Sequence, residues 1–312
     1  MEAALLWGLG AVGAIQAGSS PPLDLLMRLA GALGSGPALA AIAAFVYWCA
    51  DGKKGLRLGA AALVSAWVNA ALKLLLDQPR PFFEGFDPSA GMVSAAMGGL
   101  PSWHAQNALV VFFIVASWGK SRLLFVPAAL LCLLVAFSRV YLGANFPTDI
   151  LGGWAVGGTL LCAYFLAGRR IEALFSGRPP RAALLAIAAL SFAMILYRPS
   201  WETIPPAGML LGMGLGFYLC GRYVGFAAPS PVGGPAGRLV PLARFAIGFG
   251  GAALLFVLSG NLLGGLRHAE NYHLFVFARF ALLALWISAG APWVFAAARL
   301  AGSGAGPRGE GG

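Results

Sequence analysis

Residues 122–168 read RLLFVPAALLCLLVAFSRVYLGANFPTDILGGWAVGGTLLCAYFLAG, two apolar runs joined by a short polar turn at 142–147. A helix needs roughly 20 apolar residues to cross a hydrocarbon core. These runs are continuously apolar rather than alternating, so they read as membrane helices and not as barrel strands. The interruptions are equally informative. Ser138 and Arg139 close the first run, and Asn145 and Asp149 straddle the start of the second. An ionisable group at membrane depth costs about 2.5–3.5 kcal/mol on insertion scales, so a cation and a carboxylate placed there imply a partner or a purpose.

Comparable runs lie outward on both sides, at 36–50, 56–77, 103–118, 182–197, 205–222, 242–266 and 274–298, which with the two quoted predicts nine membrane helices. Composition agrees: 59% of residues are hydrophobic and 10% charged, with a mean hydropathy of +0.80. Soluble domains carry about 25% charged residues, so the fold class is an all-α polytopic membrane bundle. The segments 2–17 and 23–34 are short, the second amphipathic, and are expected to lie along the interface. The organisation expected is interfacial helices over 1–35, a core over 36–168, additional membrane helices over 169–300 and a disordered tail over 301–312. The first seventeen residues carry no basic n-region, so a removed signal peptide is not expected. Residues 228–241 (APSPVGGPAGRLVP) read as a flexible loop.

The net charge of +10 does not point to nucleic acid, because the basic residues sit in short loops between apolar runs. Taking loops alternately, fourteen lysines and arginines fall on one side, Arg244 among them, and only Arg80, Arg139, Arg198 and Arg267 on the other. The richer side is the cytoplasmic one. This places the loops 78–102, 143–147, 198–204 and 267–273 outside. The four cysteines lie in apolar runs with no metal-ligand spacing, so no metal is expected. Glycines every fourth residue, Gly153 and Gly157, then Gly208, Gly212 and Gly216, predict close helix contacts.

Three clusters of chemistry-bearing residues share the outer side. Lys73 precedes Arg80 by seven residues where a helix breaks at Pro79 and Pro81. Pro101-Ser102-Trp103-His104 opens the next helix, where backbone N–H groups and a hydroxyl suit an anion. Ser138-Arg139 and Asp149 follow. Three cations, a serine donor, a histidine able to act as general acid and an orienting carboxylate suit a phosphate ester, with arginine gripping two oxygens and lysine acting as a point charge. The competing reading is a structural charge network balanced by Asp77, Glu84, Asp87 and Asp149, with Lys73 merely snorkelling.

The pattern resembles the type 2 phosphatidic acid phosphatase superfamily. Its signature of lysine, six residues and Arg-Pro is matched by Lys73, Arg80 and Pro81. Its Pro-Ser-Gly-His is matched by 101–104 with Trp103 in the glycine position. Its Ser-Arg, five residues, His, three residues, Asp is matched by Ser138, Arg139 and Asp149, with Asn145 in the histidine position. The resemblance implies hydrolysis of a lipid phosphate or polyprenyl diphosphate in a bacterial-type cytoplasmic (inner) membrane, without metal or other cofactor. It assigns Lys73, Arg80, Ser102 and Arg139, with position 103, to the phosphate, His104 to protonating the leaving oxygen, and Asp149 to orienting the nucleophile. That nucleophile belongs at position 145, and an asparagine amide has no lone pair of useful basicity. The expectation is therefore a phosphatase scaffold of doubtful turnover. Its alternatives are a pseudophosphatase that binds a phosphorylated lipid as receptor or regulator, and a lipid transporter using the extra helices. His268 and His273, beside Glu270, are the remaining histidines and candidates to replace the nucleophile.

Overall fold

Each apolar run forms a helix, and some of the helices begin at a side-chain cap. In the computed structural model, which describes residues 2–81, 98–175, 179–228, 234–264 and 271–303, the helices are α1 Glu2–Gln16, α2 Pro21–Leu33, α3 Gly36–Phe45, α4 Gly52–Leu76, α5 Trp103–Ser117, α6 Phe125–Tyr141, α7 Pro147–Phe175, α8 Pro180–Leu196, α9 Ile204–Leu219, α10 Gly234–Gly264, α11 Tyr272–Leu285 and α12 Ala291–Ala297. Asp51 caps α4, its Oδ1 accepting from the backbone N–H groups of Lys53 at 2.9 Å and Lys54 at 3.0 Å. Proline stands in the first turn of α2, α7, α8 and α9, where its missing N–H costs nothing. Among the described residues the strands are two-residue pieces, β1 Phe226–Ala227 and β2 Gly302–Ser303, paired antiparallel. His268 and Glu270 lie outside the described residues, as do Glu84, Asp87, Arg267 and most of the tail. His273 sits in the first turn of α11 and is exposed.

Six stretches are long and apolar enough to cross a membrane: Gly52–Leu76, Arg122–Tyr141, Pro147–Gly168, Ile204–Val224, Leu239–Leu262 and Tyr272–Ala297. The pair Pro21–Leu33 and Gly36–Ala50, bent by 52°, makes a seventh if taken as one span. Two of the nine expected crossings fall short, α5 with 15 residues and α8 with 17. Large apolar side chains face outward along the spans, among them Leu130, Leu133 and Phe137 on α6, as a lipid solvent requires.

The expected loop 228–241 is corrected, because α10 begins at Gly234 and carries Pro241 inside it. Arg244 is corrected with it. It was counted among loop cations but lies in α10 and is 0% exposed. Glycine and proline clusters read as loop when taken one by one, yet Pro235 falls in the first helical turn, where proline is tolerated.

The chain divides into two compact units, Met1–Ala40 with Val64–Arg169, and Ala41–Leu63 with Arg170–Gly312. In the first, α1, α2 and α5 pack on α6 around Val12, Ala105, Ala136, Val140 and Ile150. A Cβ at Gly153 would stand 2.7 Å from the Ser102 carbonyl oxygen, and one at Gly157 3.0 Å from that of Gln106, so α7 closes on α5 only through glycine.

In the second unit α9 meets α11 in the same way: a Cβ at Gly208 would stand 2.5 Å from the Phe277 carbonyl oxygen, and one at Gly212 would collide with the Ala281 backbone. Gly212→Leu is expected to lower the melting temperature by about 5 °C through overpacking, as read by thermal unfolding of the purified protein. A wide π turn at Trp286–Gly290 leaves carbonyls without helical donors. The Tyr47 hydroxyl donates to Ser288 O and the Trp48 indole to Ile287 O, each at 2.8 Å, and so meet that need.

Candidate phosphate site

The residues of the three clusters all fall in the first unit, and hydrogen bonds join most of them. Lys73 projects from the last turn of α4 and donates from Nζ to the carbonyls of Gly98 at 2.5 Å and Gly99 at 2.9 Å. Arg80 donates from Nη1 to the Ala144 carbonyl at 3.4 Å. Both cations are buried, 4% and 9% exposed. Arg139, near the end of α6, is 8% exposed, and its Nε is buried with no hydrogen-bond partner. Its carbonyl shapes the next turn by accepting from Ala144 N at 3.0 Å and Asn145 N at 3.3 Å. The Ser138 hydroxyl turns back onto Val135 O at 2.6 Å and serves its own helix.

Asn145 sits at the centre. Its Nδ2 donates to Asp149 Oδ2 at 3.2 Å and to Gly99 O at 3.1 Å, while its Oδ1 accepts from the Ser102 hydroxyl at 3.2 Å. Both acceptors of Nδ2 lack a hydrogen to give, so the amide has one sensible orientation. Asp149 is held from the other side by Phe146 N at 2.9 Å on the same Oδ2. Ser102 caps α5, its hydroxyl also accepting from Ala105 N at 3.5 Å.

His104 stands half-buried in the first turn of α5. Lys73, Arg80 and Arg139 all lie near enough to act on its charge. The Trp103 ring is edge-on to its imidazole, centroids 5.4 Å apart at 75°. Room for this pair comes from the bend between α2 and α3. A Cβ at Gly36 would meet the Trp103 ring at 3.6 Å, and one at Gly34 would meet the His104 Cβ at 3.4 Å and a Val135 methyl at 2.5 Å. Gly34 thus lets the bend close on His104 and Val135, while Gly36 lies in ordinary contact range of the indole.

Gly99 is a participant that the motifs do not name. A Cβ there would stand 2.5 Å from Asp149 Oδ2 and 2.9 Å from Pro79 O, so only glycine lets the turn approach the carboxylate. The adjacent pair Gly98-Gly99 just before the Pro-Ser step was the available sequence signal. Among the described residues no three His, Cys, Asp or Glu side chains stand together as metal ligands would. The arrangement concentrates positive charge and donors around one buried amide–carboxylate pair.

An all-α, multi-pass membrane protein with such a cluster on its first unit is the class that fold and geometry define. Residues 54–172 match the PAP2 superfamily, and residues 204–303 match the PAP2 superfamily phosphatase transmembrane extension. The chain belongs to the PAP2 superfamily and carries its domain followed by that extension. It is 32% identical over 108 residues to phosphatidylglycerophosphatase B of Bacillus subtilis (strain 168), covering 32% of this chain and 49% of that protein. It is 29% identical to undecaprenyl-diphosphatase BcrC of the same organism, covering 33% and 52%. It is 26% identical to sphingosine-1-phosphate phosphatase 2 of Mus musculus, covering 49% and 45%. The chain thus spans about half the length of the curated relatives it matches. The crystal structure of a transmembrane PAP2-type phosphatidylglycerolphosphate phosphatase from Bacillus subtilis aligns with 25% identity and a TM-score of 0.45, over 57% of this chain and 90% of that one.

Proposed function

We propose that the protein binds the phosphate head group of a membrane lipid, a phosphomonoester or a polyprenyl diphosphate, and does not turn it over. The observation that carries this reading is the Asn145 amide, which spends its two donors on Asp149 and Gly99 and its acceptor on Ser102. At that position the superfamily chemistry needs a nucleophilic imidazole, and a fully engaged amide attacks nothing. The binding half rests on residues that are present. Lys73, Arg80 and Arg139 supply the phosphate-directed donors, and the Ser102 hydroxyl, whose one hydrogen goes to Asn145, joins them by rotating toward the anion. The buried Nε of Arg139 has no hydrogen-bond partner, a need that an anion in the site meets. The relatives named for lipid phosphates and a prenyl diphosphate support the ligand class. The loop charges support a cytoplasmic membrane with the site on the outer face.

The test pairs binding with turnover. Purified protein in nanodiscs is expected to bind phosphatidic acid, phosphatidylglycerophosphate or undecaprenyl diphosphate, and to release no phosphate above the empty-nanodisc rate. Sustained phosphate release by the wild-type chain overturns the reading, and so does the absence of binding to all three.

A further inference from the structure

A column of polar residues runs down one face of α4 at four-residue spacing: Ser65, Asn69 and Lys73, exposed 0%, 0% and 4%. Positions four apart on a helix face the same neighbour. Here that neighbour is the turn 98–102 and the first turns of α5. Lys73 takes the carbonyls of Gly98 and Gly99. One turn earlier, Asn69 Nδ2 donates to the Pro101 carbonyl at 3.1 Å and to Gln106 Oε1 at 2.8 Å. Gln106, itself 0% exposed, donates in turn to Ser65 O at 2.8 Å and to the Ser65 hydroxyl at 3.0 Å. A main-chain carbonyl of Ser65 only accepts, which fixes the Gln106 amide, and that in turn fixes the Asn69 amide.

The bond to Pro101 decides the geometry of the site. The peptide unit joining Pro101 and Ser102 is planar, with its C=O and N–H on opposite edges. Asn69 holds the C=O edge from α4, and the carbonyl of Asp149 holds the N–H edge from α7, Ser102 N donating at 2.8 Å. Clamped from two helices, this plane sets where Ser102 begins α5 and where its hydroxyl points, namely at Asn145. The column has a cost. Asn69 Oδ1 is buried and has no hydrogen-bond partner. An aliphatic column over Ser65, Asn69 and Gln106 would avoid that unsatisfied oxygen, but it would leave the Pro101 carbonyl with no donor from α4. The amide is explained by what its donor does to the turn.

We infer that Asn69, braced by Gln106, is a positioning residue of the phosphate site that acts through Ser102. The inference rests on the phosphate-binding reading above and names the part of the framework that aims one of its donors. It differs from a general structural role in predicting that the effect of Asn69 disappears once the Ser102 hydroxyl is gone.

The experiment is a double-mutant cycle on the full chain, with inorganic phosphate as probe and calorimetric titration as readout. Asn69→Leu is expected to weaken binding about tenfold, the size of one lost hydrogen bond to a charged ligand. Ser102→Ala is expected to weaken it by a similar factor, and the combined variant no further than Ser102→Ala alone. Additive losses in the combined variant, or unchanged affinity in Asn69→Leu, overturn the inference while leaving phosphate binding in place. A folded wild-type chain that binds no phosphate removes the site reading, and the inference falls with it. Should Asn69→Leu alone fold poorly, Asn69→Leu with Gln106→Leu replaces both amides by apolar groups and takes its place in the cycle.

Discussion

Asn145→His is expected to raise phosphate release by on the order of 10³-fold or more over the wild-type chain, from which none above background is expected, since loss of a nucleophile elsewhere costs about 10⁶-fold. The surroundings are ready for the imidazole. Asp149 Oδ2 already accepts from the Asn145 amide at 3.2 Å and is held by Phe146 N at 2.9 Å. An imidazole there places Nδ1–H close to where that amide nitrogen lies, donates to the same carboxylate oxygen, and turns its Nε2 lone pair away from Asp149. Phosphorus attacked by Nε2 passes from the lipid oxygen to the imidazole, His104 gives that oxygen its proton, and water then cleaves the phosphoryl-imidazole. Recovery stops short of a full enzyme because Trp103 still stands where the superfamily has glycine. Adding Trp103→Gly to Asn145→His is therefore expected to raise the rate again. Phosphate release from phosphatidylglycerophosphate or phosphatidic acid, followed beside a phosphohistidine trap, reads both steps. A variant that releases no more phosphate than the wild type would show that position 145 is not what limits turnover.

Arg244→Leu is expected to lower the melting temperature by about 10 °C, corresponding to about 3–5 kcal/mol, with the loss confined to stability. The guanidinium is 0% exposed and donates to Leu300 O from Nε at 2.9 Å and from Nη2 at 2.6 Å, to Trp48 O at 2.7 Å and to Ala228 O. It also lies 5.3 Å from the Phe226 ring centroid. One side chain thus ties α10 to the turn after α3, to the segment at β1 and to the chain beyond α12. Removing it strands three carbonyls in an apolar interior, each without a replacement donor. Arg244→Lys is expected to recover less than half of the loss, because a single ammonium cannot span a planar fork of partners. An unchanged melting curve for Arg244→Leu would mean that the three carbonyls are met without it.

Much of the protein was legible before any coordinates. Each of the nine apolar runs forms a helix, because in lipid each backbone polar group must be satisfied within its own segment, and a continuous apolar run satisfies that only as a helix. Among the described residues six or seven spans, not nine, are long enough to cross. That these residues would gather in one place was legible too, since Lys73 and Arg80, Ser102 and His104, and Arg139 and Asp149 keep fixed spacings at helix ends. The substitution at position 145 was readable as a single letter. Close packing at Gly153, Gly157, Gly208 and Gly212 followed from a period of four.

What the sequence alone did not hold is who meets whom. Arg244 reads as one more loop cation, and only the approach of three distant carbonyls makes it a buried clamp. Asn69 is a polar residue in an apolar run, with nothing local to join it to Pro101 thirty-two residues later. Trp103 stands alone in the sequence, and only the fold lays its ring beside Gly36 and edge-on to His104. Local pattern is set by a residue and its neighbours within a turn or two, so it reports helices and motif spacings. Orientation of a peptide plane, the meeting of a buried donor with its acceptor and the fit of an indole against a glycine are set by segments far apart in the chain, and only the folded structure brings them together.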